Sequence, residues 1–258
     1  MYFKTIDFSK YSSIKVGQPT EVLMLEKGDK APKDRYLIGG ANNLLISPTP
    51  PALMMLSKDF SYIQPEGDYL EIGAAMPTGR IVSYMKKNNI AGFEFCSKLP
   101  GTLGGMLAMN AGVKEYEVFN ILDSVEINGH WIPKGEILHG YRFAKLDGVI
   151  TAAKFKIEKG FSQTLLDTLL KLRSNQPNDP SAGSAFKNPV GYSAGKLIEE
   201  AGLKGLKKGG MAWSEVHANF LVNLGNGNFE EAKYLIDLAK KRVLEKFNVE
   251  LIEEIKLL

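Results

Sequence analysis

The sequence predicts an α+β protein, strand-rich over residues 1–157 and more helical over residues 158–258. Three observations predict it. Up to about residue 155, short apolar or alternating segments ("RYLIGG", "LLIS", "YLEIGAA", "AAKFKI") are bounded by turn residues. From Ser162 the apolar spacing becomes that of helices. The closing "VELIEEIKLL" alternates again, with Val249, Leu251 and Ile255 on one face and Glu250, Ile252, Glu254 and Lys256 on the other. A chain of 258 residues is long enough for one large domain or two modest ones.

In chain order, the first helix is expected after Thr78 as its cap. Ile81, Val82 and Met85 give it an apolar face, and Asn88-Asn89 stop it. "SVEINGHWI" places Asn128-Gly129 between two alternating runs, a strong hairpin signal. "SQTLLDTLLKLR" carries Leu165, Leu166, Leu169 and Leu172 at helical spacing. "SAGKLIEEAG" ends in Gly202, suited to the left-handed residue that closes a helix. In "NFEEAKYLIDLAKKRVLEKFN", Asn228 and Glu231 form a capping box, and Ala232, Leu235, Ile236, Ala239, Val243 and Phe247 form one stripe.

Composition narrows the function. The net charge of +3, with no basic run, suits anionic small molecules better than a nucleic-acid groove. The single Cys96 excludes an internal disulfide, and the scattered His130, His139 and His217 argue against a metal site. "MYFKTIDFSK" has no signal-peptide core, and no apolar run reaches membrane-spanning length, so a cytoplasmic chain with no membrane partner is expected.

Two glycine loops invite a ligand. In "LIGGANNLLIS", Gly39, Gly40, Ala41, Asn42 and Asn43 follow a strand; backbone N–H groups there could approach a phosphate, or the segment could be a tight turn. In "KLPGTLGGMLAMNAG", Pro100, Gly101, Thr102, Gly104, Gly105, Asn110, Ala111 and Gly112 are dense in small residues. That density suits a flat cofactor or a pyrophosphate pressed on backbone, or a close-packed strand and turn. "SAGSAFKNP" sets a hydroxyl, a cation and an amide close together with no histidine or cysteine nearby.

Seven motifs occur in one order: "GGANN", "PGTLGGMLAMNAG", "YR" at 141–142, "RSNQPNDPSAGSAFKNP", "AGKLIEEAGLKG", "SEVHANFLVN" and "IEEI". Together they resemble the UDP-N-acetylenolpyruvoylglucosamine reductase family, in its compact subtype. The resemblance implies an FAD-binding module of the vanillyl-alcohol-oxidase (PCMH) type over residues 1–157, made of two α+β subdomains. A substrate-binding α+β domain would follow over residues 158–258, its terminal strand returning to the active site. It implies non-covalent FAD held by the two glycine loops, NADPH as co-substrate, and a UDP-sugar as substrate; a monomer is expected, though the sequence itself carries no sign of oligomeric state. The reaction implied is reduction of an enolpyruvyl ether to a lactyl ether in peptidoglycan precursor synthesis.

Matching the motifs residue by residue, the resemblance makes Ser184 the proton donor, Arg142 the cation at the substrate carboxylate, and Glu254 the terminal carboxyl of the catalytic set. Without it, Ser184 reads more readily as a turn cap and Glu254 as a solvated strand end, and Arg142 can be read as a surface ion pair. Tyr141, Arg173, Lys187 and Asn188 match positions expected around the substrate; Glu215, His217 and Asn219 are left between structural and direct roles. The chain departs from the family pattern in two places. The first loop carries Ala41 and Asn42 where a glycine and a serine are usual, and Phe143-Ala144 follow the arginine in place of a small hydroxyl residue. No tyrosine-bearing inserted loop is found. An alcohol-oxidising flavoenzyme of the same fold would lack the Ser-Lys-Asn cluster, and a non-catalytic flavin-binding module would need no Arg142, Ser184 and Glu254 set.

Overall fold

The computed structural model describes residues 1–258, the side chain of Lys98 excepted. The chain forms two compact units of interleaved segments. The first comprises Met1–Lys4, Val22–Gly40 and Ala52–Ser174; the second comprises Thr5–Glu21, Ala41–Pro51 and Asn175–Leu258.

The first unit is built on an antiparallel five-stranded sheet. Its order is His130–Pro133, Leu122–Ile127, Ile150–Lys156, Tyr69–Gly73, Ile63–Glu66. The Asn128-Gly129 hairpin forms as expected: Ile127 pairs with His130, and both turn residues have positive φ, 52° and 80°. That turn matches the natural strand twist. Leu70, Ile72, Val125, Ala153 and Phe155 are buried in the unit's core, where Phe155 meets Phe93 edge-on at 5.0 Å. A smaller parallel sheet sets Tyr36–Leu37 beside Leu53–Leu56, pairing Tyr36 with Leu53.

Helix Thr78–Lys87 buries Ile81, Val82 and Met85 and stops at Asn88, with Asn89 left-handed at φ 53°. Thr78 is not its cap. Pro77 holds that position, and the Thr78 hydroxyl donates to the Leu99 carbonyl at 2.5 Å. Proline's fixed φ suits a helix start, which frees the threonine to tie the helix to the 99–101 loop. In helix Gln163–Leu172 Ser162 is the cap, and Leu166 and Leu169 are buried, but Leu172 lies in solvent. A helix over Leu103–Ala108 has no counterpart in the sequence reading. Glycines at its second and third positions weaken helices, yet Gly104 suits a tight place here. A Cβ on it would sit 3.2 Å from both the Cβ and the carbonyl oxygen of Ala74.

The second unit carries a four-stranded antiparallel sheet in the order Ser181–Ser184, Phe220–Asn223, Met211–Trp213, Lys207–Lys208. Helix Phe229–Phe247 starts with the full Asn228/Glu231 capping box, and Ala232, Leu235, Ile236, Ala239 and Val243 are buried. It closes on left-handed Asn248 at φ 54°, as helix Ala194–Glu200 closes on Gly202 at φ 73°. Asn223 brings the early chain into this unit. Its amide donates to the Ile14 and Lys15 carbonyls at 3.1 Å each, while its oxygen accepts from Gly225 and Gly227 at 3.0 Å each.

The expected continuous C-terminal strand is not formed. Only Lys256–Leu257 is a strand, parallel to Leu44–Leu45. The preceding residues pass Ala185–Lys187 with isolated backbone bonds in place of a ladder. The two-sided pattern survives, with Leu251 and Ile255 buried and Glu250 and Ile252 exposed. Burial of alternate side chains, not ladder formation, explains the alternation.

Candidate active site

In the first unit a cavity of about 200 Å³ lies against the strand and helix that carry the glycine motifs, lined by Gly39, Ala74, Thr102, Gly104, Gly105 and Ile150 among others. Its walls are backbone and apolar side chains. Thr102 caps helix Leu103–Ala108, its Oγ1 accepting from the Gly105 N–H at 3.4 Å. A Cβ on Gly39 would lie 2.7 Å from that same Oγ1, so glycine is needed for the two motifs to meet. Gly105 differs. A Cβ there meets nothing closer than the Thr102 Oγ1 at 3.6 Å and would project into the cavity. Gly40, Pro100 and Gly101 are not among the lining residues.

Asn110, Ala111 and Gly112 are buried and build a neighbouring arginine site. Asn110 is left-handed at φ 45°. Its amide donates to the Gly140 carbonyl at 3.0 Å and to the Glu117 carboxylate at 2.8 Å, and its oxygen accepts from the Phe119 N–H at 3.2 Å. Arg142, also left-handed at φ 52°, donates from Nη2 to the Gly112 carbonyl at 2.7 Å and from Nη1 to the Asn110 carbonyl at 3.5 Å. Its Nη1 lies 3.5 Å from Glu117 Oε1, with side-chain exposures of 14% and 19%. The guanidinium also stands 5.0 Å from the ring centre of exposed Tyr141. Arg173 closes helix Gln163–Leu172 as its C-cap. Glu117 was not among the residues singled out from sequence; its one signal is its place five positions after "MNAG".

In the second unit the sheet brings Ser184 and Glu254 to neighbouring backbone. Ser184 pairs with Phe220, and the Glu254 N–H donates to the carbonyl of Ala185, the next residue, at 2.8 Å. Gly183 is at φ 80° with open space around it, so its conformation, not crowding, calls for glycine. Asn219 clamps the following residues. Its Oδ1 accepts from the Phe186 N–H at 3.0 Å and its Nδ2 donates to the Phe186 carbonyl at 2.8 Å. Both ends of this buried amide are thus engaged by the Phe186 backbone.

The first-loop residues Ala41, Asn42 and Asn43 also belong to this unit. Left-handed Ala41 sits at φ 52°, a conformation that favours glycine. The Asn42 amide donates to the Ser13 hydroxyl at 2.5 Å, and the Asn43 amide donates to the Glu254 carbonyl at 2.8 Å. Asn188 is partly spent on structure, accepting from the Ala194 N–H at 3.0 Å as its helix begins. Lys187 holds the Ile252 carbonyl through its backbone N–H at 2.9 Å. His217 accepts from the Asn219 N–H at 3.2 Å and packs edge-on to Phe220 at 5.0 Å; burial pushes its pKa down. Glu215 is exposed. No group of three His, Cys, Asp or Glu able to hold a metal occurs among the described residues, nor any helix long and apolar enough to cross a membrane.

A backbone-walled cavity in the first unit, and a serine and carboxyl residue on adjoining backbone in the second, fit an enzyme that works on a small molecule. Residues 176–258 match the family model described as UDP-N-acetylenolpyruvoylglucosamine reductase, C-terminal domain. The enzyme of that name from Helicobacter hepaticus is 47% identical over 257 residues, covering 98% of each chain. The one from Helicobacter pylori strain 26695 is 44% identical over 254 residues, again covering 98% of each. The crystal structure of UDP-N-acetylenolpyruvylglucosamine reductase (MurB) from Thermus caldophilus superposes with a TM-score of 0.87 at 30% identity, covering 100% of this chain and 99% of that one. The chain belongs to the UDP-N-acetylenolpyruvoylglucosamine reductase family. Its fold is accordingly the expected α+β one, a PCMH-type module with a C-terminal α+β domain.

Proposed function

We propose that this protein reduces the enolpyruvyl ether of UDP-N-acetylglucosamine to the lactyl ether, giving UDP-N-acetylmuramate for peptidoglycan precursor synthesis. The observation that carries the reading is the 47% identity to a named reductase across 98% of both chains. FAD, held without a covalent bond and reduced by NADPH, would supply the hydride. The first unit's cavity, at about 200 Å³, would take one part of such a group. Its glycines open backbone to the ligand, and a side chain on Gly105 would fill the space.

The chain's own residues supply the rest. Hydride addition at the methylene carbon leaves charge on the neighbouring carbon and its carboxylate. Such an enolate is basic enough to take a proton from a neutral hydroxyl, so Ser184 can serve as acid without a histidine. Arg142 holds the carboxylate and stabilises the developing charge, a task for which a fixed, partly buried guanidinium is suited. Glu254, on backbone joined to Ala185, orients the proton supply to Ser184. Tyr141, Arg173, Lys187 and Asn188 bind the anionic sugar nucleotide.

The test is spectroscopic. Purified protein, loaded with FAD, is reduced anaerobically with NADPH and then mixed with the enolpyruvyl UDP-sugar. Bleaching followed by return of the flavin band, with UDP-N-acetylmuramate formed, is expected. Return only on admitting oxygen would point to an oxidase, and failure to take up FAD would overturn the reading.

A further inference from the structure

We infer that Glu117 is a positioning residue for the reductase reaction, fixing the Arg142 guanidinium through a carboxylate shared with Asn110. The inference rests on the reading of Arg142 as the group that holds the substrate carboxylate. Glu117 presents one oxygen to each partner. Oε1 lies 3.5 Å from Arg142 Nη1, and Oε2 accepts from the Asn110 amide at 2.8 Å.

The backbone makes this arrangement specific. Gly112 pairs with Glu117 in a two-residue antiparallel ladder, and the contact is close enough that a Cβ on Gly112 would sit 2.8 Å from the Glu117 Cα. The carbonyl of the same glycine accepts from Arg142 Nη2 at 2.7 Å. Glu117 and Gly112 therefore grip two nitrogens of one guanidinium from adjoining backbone. A planar guanidinium held at two points cannot rotate without breaking one of them. Arg142 needs such a grip, because it starts from a left-handed backbone at φ 52° inside an exposed turn. Removing one carboxylate oxygen would present an amide donor to either Arg142 or Asn110, both donors themselves.

Glu117→Gln tests this, with Arg142→Lys and the double variant as companions. FAD content, melting temperature and flavin reduction by NADPH are measured first, then flavin reoxidation by the enolpyruvyl UDP-sugar in stopped flow. For Glu117→Gln the first three should match wild type, and reoxidation should slow roughly 10- to 100-fold, the scale of a small misplacement of a reacting group. Adding Glu117→Gln to Arg142→Lys should slow it little further. A wild-type rate for Glu117→Gln beside a slow Arg142→Lys overturns the inference alone. So does a fully additive double variant, or an equal loss in both halves of the reaction. A wild-type rate for Arg142→Lys overturns the reading of Arg142, and the inference with it. Should Glu117→Gln fail to fold, Glu117→Asp keeps the charge on a shorter arm. The same confined loss is expected there, and a wild-type rate overturns the inference.

Discussion

At the scale of single residues, Ser184 carries the sharpest expectation. Its proposed proton is needed only when substrate is reduced, not when NADPH reduces the flavin. Ser184→Ala should leave bleaching by NADPH intact and slow reoxidation by the enolpyruvyl UDP-sugar ~10²–10⁴-fold, the usual range for a positioned acid. Stopped-flow absorbance separates the two; equal slowing of both would make Ser184 a folding residue. His217 gives a different expectation, one of stability. Burial lowers its pKa in the folded chain, so below the unfolded value of ~6.5 the unfolded state binds more protons. Its contribution is therefore present at pH 7 and is lost as the pH falls through the region below ~6.5. Replacement by asparagine, which still offers an oxygen to the Asn219 N–H, should flatten the fall in melting temperature between pH 7 and pH 5. An unchanged fall would assign that loss to other groups. Residue identity alone did not reveal Glu117. A glutamate in "KEYEVFN" reads as solvent-facing, and only the ladder with Gly112 turns it toward Arg142.

Elements with local causes were legible. The Asn128-Gly129 hairpin, the Asn228/Glu231 capping box and the Gly202 helix end each rest on a few adjacent residues, and each formed. Helix Leu103–Ala108 was not legible, because Gly104 answers to tertiary packing on Ala74, and Gly105 to the open space beside it, and not to helix propensity. The terminal alternation was legible as burial but not as a strand, since its backbone partners at Ala185–Lys187 lie far off in sequence. The glycine helix supports a paired test. Gly105→Val should abolish bound FAD, read by the flavin absorbance, while leaving the melting temperature of the FAD-free protein near wild type. Gly104→Val should lower that temperature as well, because its side chain would press on Ala74. Retention of stoichiometric FAD by Gly105→Val would remove this cavity as the flavin site.

For the whole molecule, the seven ordered motifs made the family legible, whereas no local signal marks Thr5–Glu21 as part of the second unit. Its anchor is Asn223, 209 residues from Ile14. If both substrates react in turn at one flavin, initial rates should give parallel double-reciprocal lines, and a reduced enzyme freed of NADP⁺ should still convert the UDP-sugar. Intersecting lines would require both substrates bound together. The interleaving also has a consequence during synthesis on the ribosome. Asn43 contacts Glu254 across 211 residues, which at roughly 5–20 residues per second means about 10–40 s of translation between the two. The segments of the first unit are all made by Ser174, so it can mature while Asn43–Leu45 still lack their C-terminal partners, Glu254 and Lys256–Leu257. Leu45, fully buried in the finished protein, spends that interval without Leu257, its partner in the strand pair. A trigger-type chaperone that shields short apolar stretches should thus be retained on this nascent chain until the last third has emerged, and released as the second unit closes.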